Sequence, residues 1–455
     1  LHLEQLEPRV LLSAWSGTLT ADAHWTGTEE VTGDLIIPDG ITVTVDPGTV
    51  VKAHVGVEVS VQGILDAQGT ETLPIIFTSL QDDSVGADLS GPGPGTPGAG
   101  DWDGLTFLSG STVGQLSARY AGLTVDGGAT LRVQGGTTLE VLGPLMVTGS
   151  STILCESVDR AAQVGGDWVG QGVAIQAGDL TVEAGSAISA DGQGYLGATT
   201  PQTRGAGPGA GEQGHNVAGG TGGAGHGGVG GASENGYLGG PMYGSGEEPL
   251  DLGSGGSSDE NGDWGGDGGG AIRLDVSGTL TNDGEIRANG SAGLGNEGSG
   301  GSGGSIWVTT DVIAGTGTFQ AHGGDAGNSY PGGSAGGRIA IHYADDTTFS
   351  GSATADGSMD WSAGEAGTVG FFDTTVANDH LIVHDRYAIG EDETTQFGAV
   401  TLADGALLEL GGGSTLTVDG ELQVTGNSTI LVHGKNTSAQ VGGVWAGAGA
   451  TIQAN

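Results

Sequence analysis

The chain has 455 residues, 98 of them glycine, and 54 Asp and Glu against 11 Lys and Arg give a formal charge of −43. Glycine at about three times its ordinary ~7% share, with no strict three-residue register and little proline, excludes collagen; the charge excludes nucleic-acid phosphates and anionic membranes as partners at ordinary salt. Cations, Ca²⁺ first, are the natural partners of such a surface, although solvation alone accounts for the charge equally well.

Taken in order, the chain opens with Leu6-Glu7-Pro8-Arg9-Val10-Leu11-Leu12-Ser13-Ala14. This resembles the LEPR-XLL motif near the start of many very large secreted proteins of bacteria, planctomycetes among them. The resemblance implies export and sorting to the cell surface or medium, so residues 1–14 are set apart from the fold. From 15 to 122 the pattern predicts strands: Ile41-Thr42-Val43-Thr44-Val45, a turn at Asp46-Pro47-Gly48, then Val57-Glu58-Val59-Ser60-Val61 and Pro74-Ile75-Ile76-Phe77. Apolar residues alternate at a period of two, and Pro and Gly punctuate them. The segment resembles the opening coils of right-handed parallel β-helix proteins from bacterial surfaces. A Gly/Pro-rich loop occupies 86–100. Trp102-Asp103-Gly104 then begins a new run, and the same Trp-x-Gly step recurs at Trp15, Trp25, Trp168, Trp264 and Trp445. Such Trp either cap a stack or, on the sharper reading, offer sugar-stacking platforms, with Trp102 and Trp264 the candidates.

Residues 123–177 recur at 400–454 with one offset of ~277 and no gap. Gln163-Val164-Gly165-Gly166 returns as Gln440-Val441-Gly442-Gly443, and Ile175-Gln176-Ala177 as Ile452-Gln453-Ala454. The first copy, within a unit spanning 123–191, runs on into Leu180-Thr181-Val182; the second, within 373–455, is cut where that continuation would begin, as expected of a piece of a longer array. Cys155, the only cysteine, rules out an intrachain disulfide, and its counterpart Val432 makes it a small buried hydrophobe. Runs this short bury their faces only by stacking. The expected fold is all-β, a right-handed parallel β-helix (β-solenoid) interrupted by a Gly-rich domain. No apolar run approaches the ~18 residues of a membrane span.

The interruption is 192–267, where Gly fills two of every three positions in places; either polyproline-II-like segments packed side by side or a flexible loop fits. From 268 to 372 the pattern resumes as Gly269-Gly270-Ala271-Ile272, Gly303-Gly304-Ser305-Ile306 and Gly336-Gly337-Arg338-Ile339. Their spacing of roughly 33 residues is a solenoid period. A second signature, apolar-x-Ala-x-Gly at Leu65, Ile188, Ile286 and Phe319, marks a tight corner.

Two acidic groups are candidate Ca²⁺ ligands. Asp259, Asn261, Asp263 and Asp267 place oxygen side chains at loop positions 1, 3, 5 and 9, although Trp264 stands where calcium loops place Gly. Asp82, Asp83, Asp88, Asp101 and Asp103 form a weaker set. Gly225-His226-Gly227, the Asp82-Asp83 and Asp345-Asp346 pairs and Arg338-Ile339 resemble elements of polygalacturonases. The family's Asn-Thr-Asp is missing, and Ala340 replaces its Lys. No catalytic residue is assigned. The expected role is a non-enzymatic structural or adhesive segment of a secreted or cell-surface protein. Its partner would be an extracellular surface, glycan or matrix component, or another copy joined end to end. A glycan-binding module is the alternative, and a divergent polysaccharide lyase or hydrolase a third reading.

Overall fold

The computed structural model describes residues 14–454, except 68, 71, 92–94, 96–100, 109–111, 114–117, 216–219, 261–262, 328–329, 436–439, 442–443 and 446–447. The export-like stretch before Ala14, part of the 86–100 loop and Asn261 lie outside the described residues. Among the described residues the regular elements are all β-strands, most of them paired in parallel. The chain divides into two compact units: residues 1–132 with 139–152, and 133–138 with 153–455. The division passes inside the first copy of the duplicated block.

In the first unit, period-two alternation decides which side chains turn inward: in Thr42–Val45 both Val are buried and both Thr half-exposed. Parallel pairing then repeats the same chemistry level by level. Leu35, Val59, Leu105, Leu123 and Leu145 form one column, and Ile37, Val61, Phe107, Val125 and Val147 the next. All ten are 2% exposed or less, each contributing roughly 1.5–3 kcal/mol on burial. Trp25 is fully buried, Trp15 lies against it at 5.7 Å, and the Trp15 indole N–H donates to Glu29 at 2.8 Å.

The second unit repeats the device. The Gly-Gly-x-Ile segments fall in register: Ile272, Ile306, Ile339 and Val369 stack, as do Leu274, Val308, Ile341 and Phe371. The predicted corner is a second short sheet in which Ile188, Ile286, Phe319 and Ala353 align. One reversal interrupts the parallel order, where Phe371 meets Ile382 antiparallel. Stacking resumes through Leu381, Val400 and Leu422. Each copy of the duplicated block also carries an antiparallel hairpin, Gln163 opposite Trp168 and Gln440 opposite Trp445. In the first copy the Gly-Gly turn supplies the positive φ such hairpins need (Gly165 65°, Gly166 101°).

The glycine-rich region is ordered by its backbone. Along 253–258, N–H groups three residues apart address the same neighbour. Gly253 and Gly256 donate to the carbonyls of Gly269 and Gly266, and Gly255 and Ser258 to those of Ala206 and Thr203, all at 2.8–2.9 Å. Ser254 and Ser257 donate to the hydroxyls of Ser302 and Ser299 at 2.8 and 2.9 Å. A three-residue screw with no internal hydrogen bonds and a neighbour on each of three faces is the polyproline-II geometry. It demands glycine because neighbouring backbones nearly touch: a Cβ on Gly256 would lie 2.0 Å from the Ser299 carbonyl oxygen, and one on Gly223 1.9 Å from that of Gly333. Of the two conformations open to this tract from its composition, the packed one is present.

Candidate functional site

The two acidic groups serve as loop fasteners. Asp259 is fully buried and accepts the Asp263 N–H at 3.2 Å; Asp263 in turn accepts the Glu297 N–H at 3.0 Å. Asp267 faces elsewhere, bridging the Arg160 guanidinium and the Gly197 N–H, both at 2.7 Å. Arg160 completes the clamp by donating to the Gly192 and Gly194 carbonyls at 2.6 Å. In the other group, Asp82 is buried and accepts from Thr78 at 2.9 Å and from the Ser84 N–H and hydroxyl at 3.0 and 2.5 Å. Burial pushes its carboxyl up, but those hydrogen bonds and the nearby Lys52 ammonium outweigh it and hold it below its ordinary range. Asp83 accepts from Gly95 and Ser90, Asp101 from Ser79 at 3.0 Å, Asp88 lies 3.4 Å from the Ser90 hydroxyl, and Asp103 is exposed. Among the described residues no three His, Cys, Asp or Glu side chains converge as metal ligands.

Lys52 is the residue sequence reading missed. It is fully buried, and its ammonium donates to the Asp82 and Ala87 carbonyls, both at 2.6 Å. Nothing in Val50-Val51-Lys52-Ala53 announces this, because the acceptors are backbone atoms some 30 residues away.

Of the two proposed sugar platforms, Trp102 is corrected: it is 5% exposed, so neither ring face is free to meet a sugar. Trp264 is half-buried. His226, the centre of the Gly-His-Gly triplet, is sealed. It is fully buried, its Nδ1 lies 2.8 Å from the Gly303 carbonyl, and its ring lies 4.6 Å from that of Tyr243. Burial, reinforced by the Arg338 charge, depresses its pKa to about 3. Such an imidazole stays neutral and out of reach of any polymer. Asp345 and Asp346 are exposed, on a different element from Asp82 and Asp83.

The second unit holds a cleft of about 390 Å³, walled by Thr137, Gln171, Val173, Leu250, Asp251 and Arg273. It is within the range of small-molecule sites. Burial raises the Asp251 carboxyl, with Arg338 opposing. Arg273 is engaged from both sides, paired with Asp275 at 3.0 Å and lying 4.3 Å over Trp307. Trp168 and Tyr195, 5.2 Å apart, pack with Leu252 and with Ala271, which lines the cleft. The cleft thus offers one desolvated carboxylate, a guanidinium paired with Asp275, and the side chains of Thr137 and Thr138. Comparison of the chain with family models, curated proteins and solved structures gives no match.

Proposed function

We propose that this chain is a non-enzymatic structural and adhesive segment of a large repetitive bacterial surface or matrix protein. We infer its architecture to be a right-handed parallel β-helix interrupted by a glycine bundle. The observation that carries this reading is the register. The same apolar position recurs level after level, so added repeats extend a column at little new cost, while His226 is sealed and Asp82 and Asp83 are committed to fastening a loop. Export is supported by the resemblance of residues 6–14 to the LEPR-XLL motif.

Immunogold labelling of intact cells with an antibody to this segment tests the placement. Label on the outer surface or in the matrix is expected; label confined to the cytosol would refute it. A cryo-EM map tracing the strands as closed right-handed turns is expected for the architecture, whereas two open sheets facing each other would end that half of the proposal.

A further inference from the structure

The glycine-rich repeats end in loops whose tips carry large side chains that the fold leaves in solvent. Leu294 is 61% exposed, Tyr330 39%, Met359 85% and Trp361 55%; half-buried Trp264 begins the series. Successive tips are tied together in chain order. The Trp264 carbonyl accepts the Leu294 N–H at 2.8 Å, and Gly293 donates to the Asp325 carbonyl at 2.8 Å. Ala326 donates to the Asp360 carboxylate at 3.2 Å, and Trp361 to the Pro331 carbonyl at 3.0 Å. The tips therefore form one continuous strip of aromatic and apolar groups. Burying one such residue would each time stabilise the chain, so leaving a row of them exposed marks a contact surface.

The charge of the strip selects its partner. On these tips Glu260, Asp263, Asp325 and Asp360 are exposed or half-buried, whereas Asp259 and Glu297 are buried and Glu365 is paired with Arg386 at 3.1 Å; the tip sequences themselves contain neither Lys nor Arg. The fastening bonds described for Asp263 and Asp360 leave further lone pairs on each carboxylate. Flat aromatic faces suit the apolar face of a ring, and carboxylates between them suit ammonium and hydroxyl donors. Repetition at each level suits a polymer that itself repeats. We propose that this strip is a docking surface for a cationic amino-sugar polysaccharide, a polymer of linked hexosamines with free amino groups. The inference rests on the surface-adhesin reading and names the chemistry that adhesion would use.

The test is co-sedimentation of the full chain with an insoluble β-linked glucosamine polymer, with its fully N-acetylated form as comparison. Binding to the amino form is expected, weaker by about tenfold for the N-acetylated form. Trp361→Ala combined with Tyr330→Ala should lose about tenfold or more in association constant. Trp361→Phe should stay within about threefold of the parent. All variants should melt at the parent temperature, since these side chains are exposed. Absence of sedimentation with the glucosamine polymer, or equal binding by the double variant, overturns the proposal. So does binding to polylysine that glucosamine oligomers fail to displace, which would indicate a basic protein partner. Because binding is measured on the isolated chain, its failure leaves the immunogold result untouched, and the reverse holds too.

Discussion

The second unit holds two kinds of interior side by side. In the stacked strands, for example Ala271–Asn282 and Ser305–Gly315, cohesion comes from side chains: Ile272 on Ile306, Leu274 on Val308. In the glycine bundle there are almost no side chains to pack, and cohesion comes from N–H groups addressing three neighbours in turn. The first interior tolerates variation in the identity of an aliphatic residue but not its loss. The second has no room for a methyl where backbones meet most closely, as at Gly223 and Gly256. A chain with 98 glycines thus spends them on close backbone approach more than on flexibility.

Substitutions sharpen the contrast. The largest effect is expected from Gly256→Ala, whose new methyl has no room beside the Ser299 carbonyl; a loss of about 4 kcal/mol, or failure to fold, should appear in chemical denaturation. Gly434→Ala, with nothing within 4 Å of the added methyl, should cost less than about 0.5 kcal/mol, and an equal cost at both glycines would break the comparison.

Next comes the stacked core. Ile175 is fully buried, so Ile175→Ala should cost about 2–5 kcal/mol in chemical denaturation.

A third effect concerns His226, in the bundle. Its folded pKa of about 3 lies below the ~6.5 of an unfolded chain. Above pH 6.5 both states are neutral and the group is silent. As pH falls below 6.5 the unfolded chain takes up a proton that the fold refuses, so stability declines at up to ~1.4 kcal/mol per pH unit. Buried carboxyls such as Asp251 and Asp360, raised by burial, act in the opposite sense. The expected result is therefore a difference: urea midpoints of His226→Phe should fall less steeply between pH 6.5 and 5 than those of the parent. A change of similar size is expected for Lys52→Met in the first unit, which strands two carbonyls. It should cost about 1–3 kcal/mol and speed proteolysis within the 86–100 loop.

The strands were legible because alternation and register are local signals: Val43 and Val45 face inward for reasons contained in five residues. The Gly-Gly-x-Ile spacing likewise carried enough to place Ile272, Ile306 and Ile339 on one column. Ala353-Thr354-Ala355-Asp356-Gly357 continues the corner sheet but escaped the apolar-x-Ala-x-Gly pattern, because a small Ala stands where the others have Ile, Leu or Phe. The bundle was undecidable from composition, since the partner of each glycine N–H lies many residues away, as with Gly227 and Gly336. Trp102 was misjudged for a related reason: Trp-x-Gly says where a strand begins, not what covers the ring. The spacing of Asp259, Asp263 and Asp267 was visible, but the Arg160 that claims Asp267 comes from 107 residues away.

Hydrogen exchange read by mass spectrometry tests the central claim, that the glycine-rich region is a solid interior in its own right. Amides in 222–231, 253–258 and 264–269 should resist exchange as long as those of Ala271–Asn282. Complete exchange of the glycine segments within seconds, while the strand stays protected, would contradict it.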